Sequence, residues 1–211
     1  MTGDLARMRR DYTLEHMEEP EMDPNPFVQL DQWITRAREF SVVEANAMVL
    51  ATVDQHGHPS ARTVLLKDLD ERGLVFFTNY ESRKGRDIAA NPSVALVFNW
   101  LPLERQVRIE GTVERVTAEE SDAYFAIRPR GSQIGAAASP QSEPVPDREW
   151  LERRFAQLEA TDEQIARPEH WGGYLVKPRM FEFWQGRPNR LHDRLRYDMT
   201  PHGWELVRLA P

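Results

Sequence analysis

Apolar positions along this chain change their period several times, and the changes mark its elements. Leu30, Trp33, Ile34 and Ala37 recur at helical spacing behind Asn25 and Pro26, an N-cap followed by proline in the first turn. From residue 47 the pattern shortens. AMVLATV, SARTVLLK and LVFFTN are rich in β-branched and aromatic residues and are separated by the turn formers DQHGHP and DLDERG, which predicts an antiparallel meander. Ser82 to Ala90 reads as a short helix stopped at Asn91 and Pro92, and SVALVFNW and ERQVRIEGTVERV read as strands. Thr117 with Glu120 forms a capping box that opens a helix over residues 118–127. RPRGSQIGAAASPQSEPVP reads as loop with room for one short helix, and Asp147 starts a charged amphipathic helix, DREWLERRFAQLEA. GYLVKP, MFEFWQG, DRLRYDM and GWELVRL return to strand. Antiparallel strands interrupted by scattered helices predict a mainly β fold with helical additions, a β-barrel and not alternating βαβ units.

Residues 1–24 lack periodicity and predict a flexible arm bearing Arg7, Arg9 and Arg10, followed by a single domain over residues 25–211. The N-terminus lacks the apolar core of a signal peptide, and no apolar run approaches the roughly 18 residues of a membrane span. The expectation is a cytoplasmic protein. With no cysteine, disulfides, thiolate metal sites and cysteine nucleophiles are excluded. The net charge of -7 argues against a nucleic-acid partner, which needs a basic face. Against that acidic balance, arginine and lysine gather in a few short stretches.

Fingerprints for dinucleotides (GxGxxG) and nucleotide phosphates (GxxxxGK[ST]) are absent, as is the GxSxG nucleophile elbow. His56 and His58 sit in a Gly/Pro turn without a third ligand, so no metal is implied. In SARTVLLKD, a strand would point Arg62, Val64 and Leu66 to one face and Lys67 to the other, as ligand-flanking cations or as solvated strand ends. Arg83, Lys84 and Arg86 open a helix where the macrodipole disfavours cations, a conflict that a bound anion would resolve; the other reading is a solvated basic turn. Tyr124, Arg128 and Ser132 follow at spacings of four, a donor set suited to a phosphate, although Pro129 predicts a helix break near Arg128. After the turn at residues 186–189, Arg190, His192 and Arg194 would line one face of an extended segment, with Leu191 and Leu195 directed to the core. A histidine between two arginines has a lowered pKa and is neutral at pH 7, able to accept a proton; the other reading is a decorated edge strand.

Taken together, EFWQGRPNRLHDR, RTVLLK, FFTNYESRKG, LERQVRIEG, YFAIRPRGSQIGA, the Gln141–Ser142 pair and the terminal RLAP resemble, in order, the pyridoxine (pyridoxamine) 5′-phosphate oxidase family over about residues 40–211, with a fainter match at RMRRDY. The resemblance implies a split β-barrel FMN-binding fold, antiparallel and Greek-key-like, and a homodimer with FMN at the subunit interface. It also implies oxidation of pyridoxamine or pyridoxine 5′-phosphate to pyridoxal 5′-phosphate by hydride transfer from C4′ to flavin N5, with O2 giving H2O2. By likeness, FMN would be held by Arg62, Thr63, Val64, Leu65, Leu66, Lys67, Phe77, Thr78, Arg83, Lys84, Gln106, Gln141, Ser142, Trp184 and Arg194. Lys67, Tyr124, Arg128 and Ser132 would grip the substrate phosphate. Arg190, Leu191 and His192 would lie against its ring, with Arg190 and His192 catalytic, and Arg9, Arg10, Asp11 and Tyr12 would close over it. The family carries tryptophan near position 137, where this chain has Ala137. The alternatives are a split-barrel flavin oxidoreductase acting on another substrate and a non-catalytic FMN- or pyridoxal-phosphate-binding carrier.

Overall fold

The Asn25 side chain accepts a hydrogen bond from the Phe27 N–H, and Pro26 occupies the first turn of helix α1 (Pro26–Glu39). The computed structural model describes Arg7, residues 11–161 and residues 163–211. Strands β1 (Ala47–Val53), β2 (Pro59–Leu65), β3 (Asp68–Asp70) and β4 (Gly73–Asn79) precede helix α2 (Arg83–Ala90). Strands β5 (Ser93–Trp100) and β6 (Arg105–Arg115) then lead to helices α3 (Ala118–Ile127), α4 (Arg130–Ala138) and α5 (Arg148–Glu159). The chain finishes with β7 (Trp171–Gln185), β8 (Asp193–Thr200) and β9 (Gly203–Arg208). The strands form one sheet in the order β2-β1-β5-β6-β7-β4-β3, with β8 pairing β7 and β9 pairing β8. The mainly β expectation holds. No helix among the described residues is long and apolar enough to cross a membrane.

Local signals placed the helix starts well. Ser82 accepts from the Gly85 N–H, the Thr117–Glu120 capping box is complete, and Asp147 caps α5. The one short helix allowed for after Pro129 is α4, nine residues long. Two expectations need correction. GYLVKP and MFEFWQG are one 15-residue strand, β7. Its Pro178 stands between the stretch paired with β4, which ends at Val176, and the stretch paired with β8, which begins at Met180. Finally, residues 188–190 form a 3-10 turn in which Asn189 and Arg190 have φ of 57° and 63°, and β8 starts only at Asp193. Arg190, His192 and Arg194 therefore do not form one strand face, and Leu191 is 69% exposed where the core was expected.

The chain divides into two packed units. The first comprises the described part of Met1–Val49, with Ala95–Glu110 and Pro178–Pro211. Its core is aromatic: Trp33 meets Phe183 edge-on at 5.0 Å, Phe27 meets Phe181 at 5.2 Å, and the Trp100 indole N–H donates to the Ala45 carbonyl at 2.9 Å. Residues 13–23 are tied into this unit. The N–H groups of Thr13 and Leu14 donate to Glu104, that of Met17 donates to Asp193, and the Tyr197 hydroxyl donates to the Asp23 carbonyl.

The second unit comprises Leu50–Val94 and Gly111–Lys177. Leu74, Val75, Phe76, Ile88, Phe125 and Tyr174 form its core. Close packing at the start of β7 requires glycine: a Cβ on Gly172 would stand 2.2 Å from the Tyr80 hydroxyl, and one on Gly173 would stand 2.8 Å from the Phe77 ring.

Candidate active site

In the second unit, β2, β4, α3, α4 and the start of β7 enclose a cleft of about 600 Å³. Thr63, Val64, Leu65 and Lys67 line it from the β2 segment, Phe77 and Thr78 from β4, and Tyr124, Arg128 and Ser132 from the α3–α4 region, with Gln141 and Trp171. The helix does break at Arg128, which caps α3 in an extended conformation. A second helix restarts at once, so Tyr124, Arg128 and Ser132 still share one wall. Leu66 is buried at 7% exposure and is not among the lining residues, whereas its neighbours Leu65 and Lys67 are.

How each cation is held separates structural from ligand-directed groups. Arg72 pairs with Glu120 at 2.8 Å, Arg167 with Asp122 at 2.6 Å and Arg208 with Glu19 at 2.6 Å. Arg128 has no such partner among the described residues. Its guanidinium lies 4.5 Å over Trp171 and 5.6 Å from Phe125, and its Nη1 is buried without a hydrogen bond. Among the described residues the only other buried side-chain nitrogen or oxygen so placed is His170 Nε2. Burial holds the Arg128 pKa below its ordinary value. An orphaned, desolvated guanidinium is unfavourable unless an anion arrives to meet it.

Lys84 repeats the theme at the start of α2. It is 8% exposed, and its Nζ donates to Thr78 Oγ1 (2.8 Å), Ser82 Oγ (3.0 Å) and Gln141 Oε1 (2.9 Å), all neutral oxygens. Desolvation first, and Arg62 second, push its pKa down to about 8. Gln141 is thereby docked on α2, and Arg86 binds the adjacent Glu143 at 2.6 Å. Arg83 is exposed at the helix start, and Ser142 is exposed with φ of 74°. Arg62 stands near enough to act on Lys84 but is not among the residues lining the cleft. Its guanidinium turns away from the cleft lining, donating to Thr52 Oγ1 (2.6 Å), Ser60 Oγ (2.6 Å) and the Leu50 carbonyl (3.3 Å) and standing 3.7 Å from Asp87. Lys84, which is buried, and Arg128, which is half-buried with its Nη1 enclosed, fit phosphate groups: among the described residues no carboxylate pairs with either.

The first unit holds the remaining predicted residues. Tyr12, Trp184 and His192 form an aromatic cluster, with ring centroids 5.8 Å (Tyr12–Trp184), 5.7 Å (Tyr12–His192) and 4.7 Å (Trp184–His192) apart. A Cβ on Gly186 would stand 2.7 Å from Tyr12 Cγ, so glycine there admits the ring. The Arg187 N–H donates to His192 Nδ1 at 3.0 Å. Nδ1 is thus the acceptor, and the neutral ring carries its proton on Nε2. Burial, with Arg190 second and against an opposing Asp193, keeps the His192 pKa below its usual value. In this arrangement neutral His192 presents an Nε2–H donor, and it can take a proton at Nδ1 only by releasing Arg187. Arg190 and Leu191 are exposed on the turn, Asp11 is exposed, and Arg9 and Arg10 lie outside the described residues. Arg194 donates to Glu182 (2.8 Å) and to the Ala210 carbonyl (2.9 Å), and Gln106 is half-buried on β6.

Sequence reasoning missed Trp171, Asp87 and Thr52. Nothing near Trp171 in the chain signals Arg128, more than forty positions away.

Comparison with known proteins agrees with this geometry. A family model for pyridoxamine 5′-phosphate oxidase matches residues 34–162, and one for the pyridoxine 5′-phosphate oxidase C-terminal dimerisation region matches residues 171–211. The pyridoxine/pyridoxamine 5′-phosphate oxidase of Rubrobacter xylanophilus is 59% identical over 210 residues, covering 99% of this chain and 97% of its own. That of Cupriavidus necator is 54% identical over 209 residues, covering 98% and 99%. Among solved structures, PhzG from Burkholderia lata, in complex with tetrahydrophenazine-1-carboxylic acid, superposes with a TM-score of 0.90 at 30% identity, covering 96% of this chain and 100% of its own. A pyridoxamine 5′-phosphate oxidase-related, FMN-binding protein from Nostoc punctiforme shares the fold with a TM-score of 0.73 at 18% identity, covering 90% and 100%. The fold is the split barrel of these proteins. On the extent and identity of these matches, the chain belongs to the pyridoxine/pyridoxamine 5′-phosphate oxidase family of oxidoreductases.

Proposed function

We propose that this protein oxidises pyridoxamine 5′-phosphate and pyridoxine 5′-phosphate to pyridoxal 5′-phosphate, as a cytoplasmic homodimer with FMN at the subunit interface. The alcohol and O2 yield pyridoxal 5′-phosphate and H2O2; the amine also consumes water and releases ammonia. The observation that carries the reading is Arg128, whose Nη1 is buried with no hydrogen-bond partner among the described residues, on a cleft that also presents Lys67, Tyr124 and Ser132. That donor set suits a phosphate dianion.

FMN, when bound, supplies the hydride acceptor at N5 and passes the electrons to O2. Lys84, with Arg62, Arg83, Gln141 and Ser142, holds its phosphate end. Thr63, Val64, Leu65, Phe77 and Thr78 pack along it, and Gln106, Trp184 and Arg194 supply polar and aromatic contacts. Lys67, Tyr124, Arg128 and Ser132 fix the substrate phosphate and so orient C4′. Arg190 and Leu191 lie against the substrate ring. His192 donates through Nε2–H to a ring substituent, or takes the departing proton once Arg187 releases Nδ1. Residues 25–211 act as one cofactor-binding domain and residues 1–24 as a lid, with Arg9, Arg10, Asp11 and Tyr12 covering the substrate and excluding water.

The likeness to PhzG favours a second reading, a flavin oxidoreductase of another substrate, because that protein binds a phenazine carboxylic acid. Anaerobic mixing separates the two. FMN-loaded protein should lose its visible flavin absorption on addition of pyridoxamine 5′-phosphate and regain it in air with one equivalent of H2O2. A yellow protein that neither phosphorylated substrate bleaches favours the second reading or the carrier. Gly186→Ala tests the lid: displacing Tyr12 should raise KM about tenfold at unchanged FMN affinity, the scale of one lost aromatic contact. An unchanged KM would remove Tyr12 from the substrate site.

A further inference from the structure

We infer that Trp171 is the positioning residue of the phosphate site: its indole face holds the Arg128 guanidinium in the cleft wall without consuming any of its hydrogen-bond donors. The inference rests on the reading of the cleft as the site of the substrate phosphate.

A carboxylate could hold the arginine equally well, but it would neutralise the charge and compete with an incoming phosphate. An aromatic face attracts the cation through its quadrupole and leaves every N–H free. Arg128 lies 4.5 Å over Trp171, and the unpartnered Nη1 is the donor so preserved. Trp171 is itself firmly placed. It is 6% exposed, its N–H donates to the Pro168 carbonyl at 2.9 Å, and its own carbonyl accepts from Arg167 at 2.7 Å, an arginine paired in turn with Asp122. Its ring stacks on Phe77 at 5.5 Å and runs parallel to Tyr124 at 6.3 Å, within 5°. Tyr124 and Phe77 line the same cleft, so one aromatic stack sets the position of the guanidinium and of its neighbouring hydroxyl donor.

The test compares pyridoxamine 5′-phosphate with unphosphorylated pyridoxamine on FMN-loaded protein. Trp171→Leu should lower the ratio of their kcat/KM values about tenfold and Trp171→Phe about threefold, in line with a desolvated cation–π contact, while FMN affinity changes less than about twofold. A merely structural role would depress both substrates together and leave the ratio alone. Calorimetric titration of the FMN-loaded protein with inorganic phosphate should show affinity falling in the same proportion. If Trp171→Leu fails to fold, the ratio for Trp171→Phe decides. A wild-type ratio and phosphate affinity in the variants would overturn the role of Trp171 while leaving the cleft assignment standing. A wild-type protein indifferent to the substrate phosphate, with variants that still bind inorganic phosphate more weakly, would sink the cleft assignment and keep the role.

Discussion

Arg128→Leu should lower kcat/KM for pyridoxamine 5′-phosphate by about 10²- to 10³-fold, because truncating one partner of a desolvated charge pair costs about 2–5 kcal/mol. The cofactor-free protein should be no less stable for it. Leucine removes a buried donor without a partner, an arrangement that costs about 1–3 kcal/mol, against loss of a cation–π contact worth about 0.5–2 kcal/mol. Kinetics and thermal unfolding measured on one preparation check both halves. A clear fall in stability with activity retained would make Arg128 a structural residue.

Lys84→Met should weaken FMN binding by a similar factor and yield a colourless protein on purification. The native side chain makes three hydrogen bonds to neutral oxygens, so its charge is uncompensated until an anion binds. With its pKa lowered from 10.5 to about 8, Lys84 becomes neutral in the cofactor-free protein as the pH passes 8. A dianion favours the ammonium form. Binding should therefore take up a proton above that pH, with affinity falling by up to about tenfold per pH unit, and be nearly flat below it. The stability sign follows from the same shift. Between pH 8 and 10.5 the unfolded chain binds the proton that the folded chain has lost, so the lysine's unfavourable contribution fades as pH rises through that window. Wild type minus Lys84→Met isolates both effects, and a difference with no pH dependence would contradict them.

What the sequence made legible was local. Ser82, Thr117 with Glu120, Asp147 and Asn25 each cap the helix they were expected to open, because a side chain reaching a backbone N–H two or three residues on needs no tertiary information. Basic residues at the start of α2 were legible as a broken local rule, and the structure shows Lys84 there donating to neutral oxygens. The run at 190–194 misled because alternation was read as strand, whereas Asn189 and Arg190 take left-handed conformations that end the extended chain. The partners of Arg62, Thr52 and Asp87, were not legible, because they stand apart from it in sequence. The stack of Tyr124, Phe77 and Trp171 was out of reach for the same cause, since it joins three elements that only the folded sheet and helices bring together.

The central claim is that cations without carboxylate partners, Lys84 foremost, recognise phosphorylated ligands. It is tested most directly by titrating the cofactor-free protein with FMN and with riboflavin, which differ only in the phosphate. Quenching of flavin fluorescence at pH 7 should show FMN binding at least about 100-fold more tightly, the scale of a charge-assisted phosphate contact with a buried lysine. Equal affinity for the two flavins would contradict it.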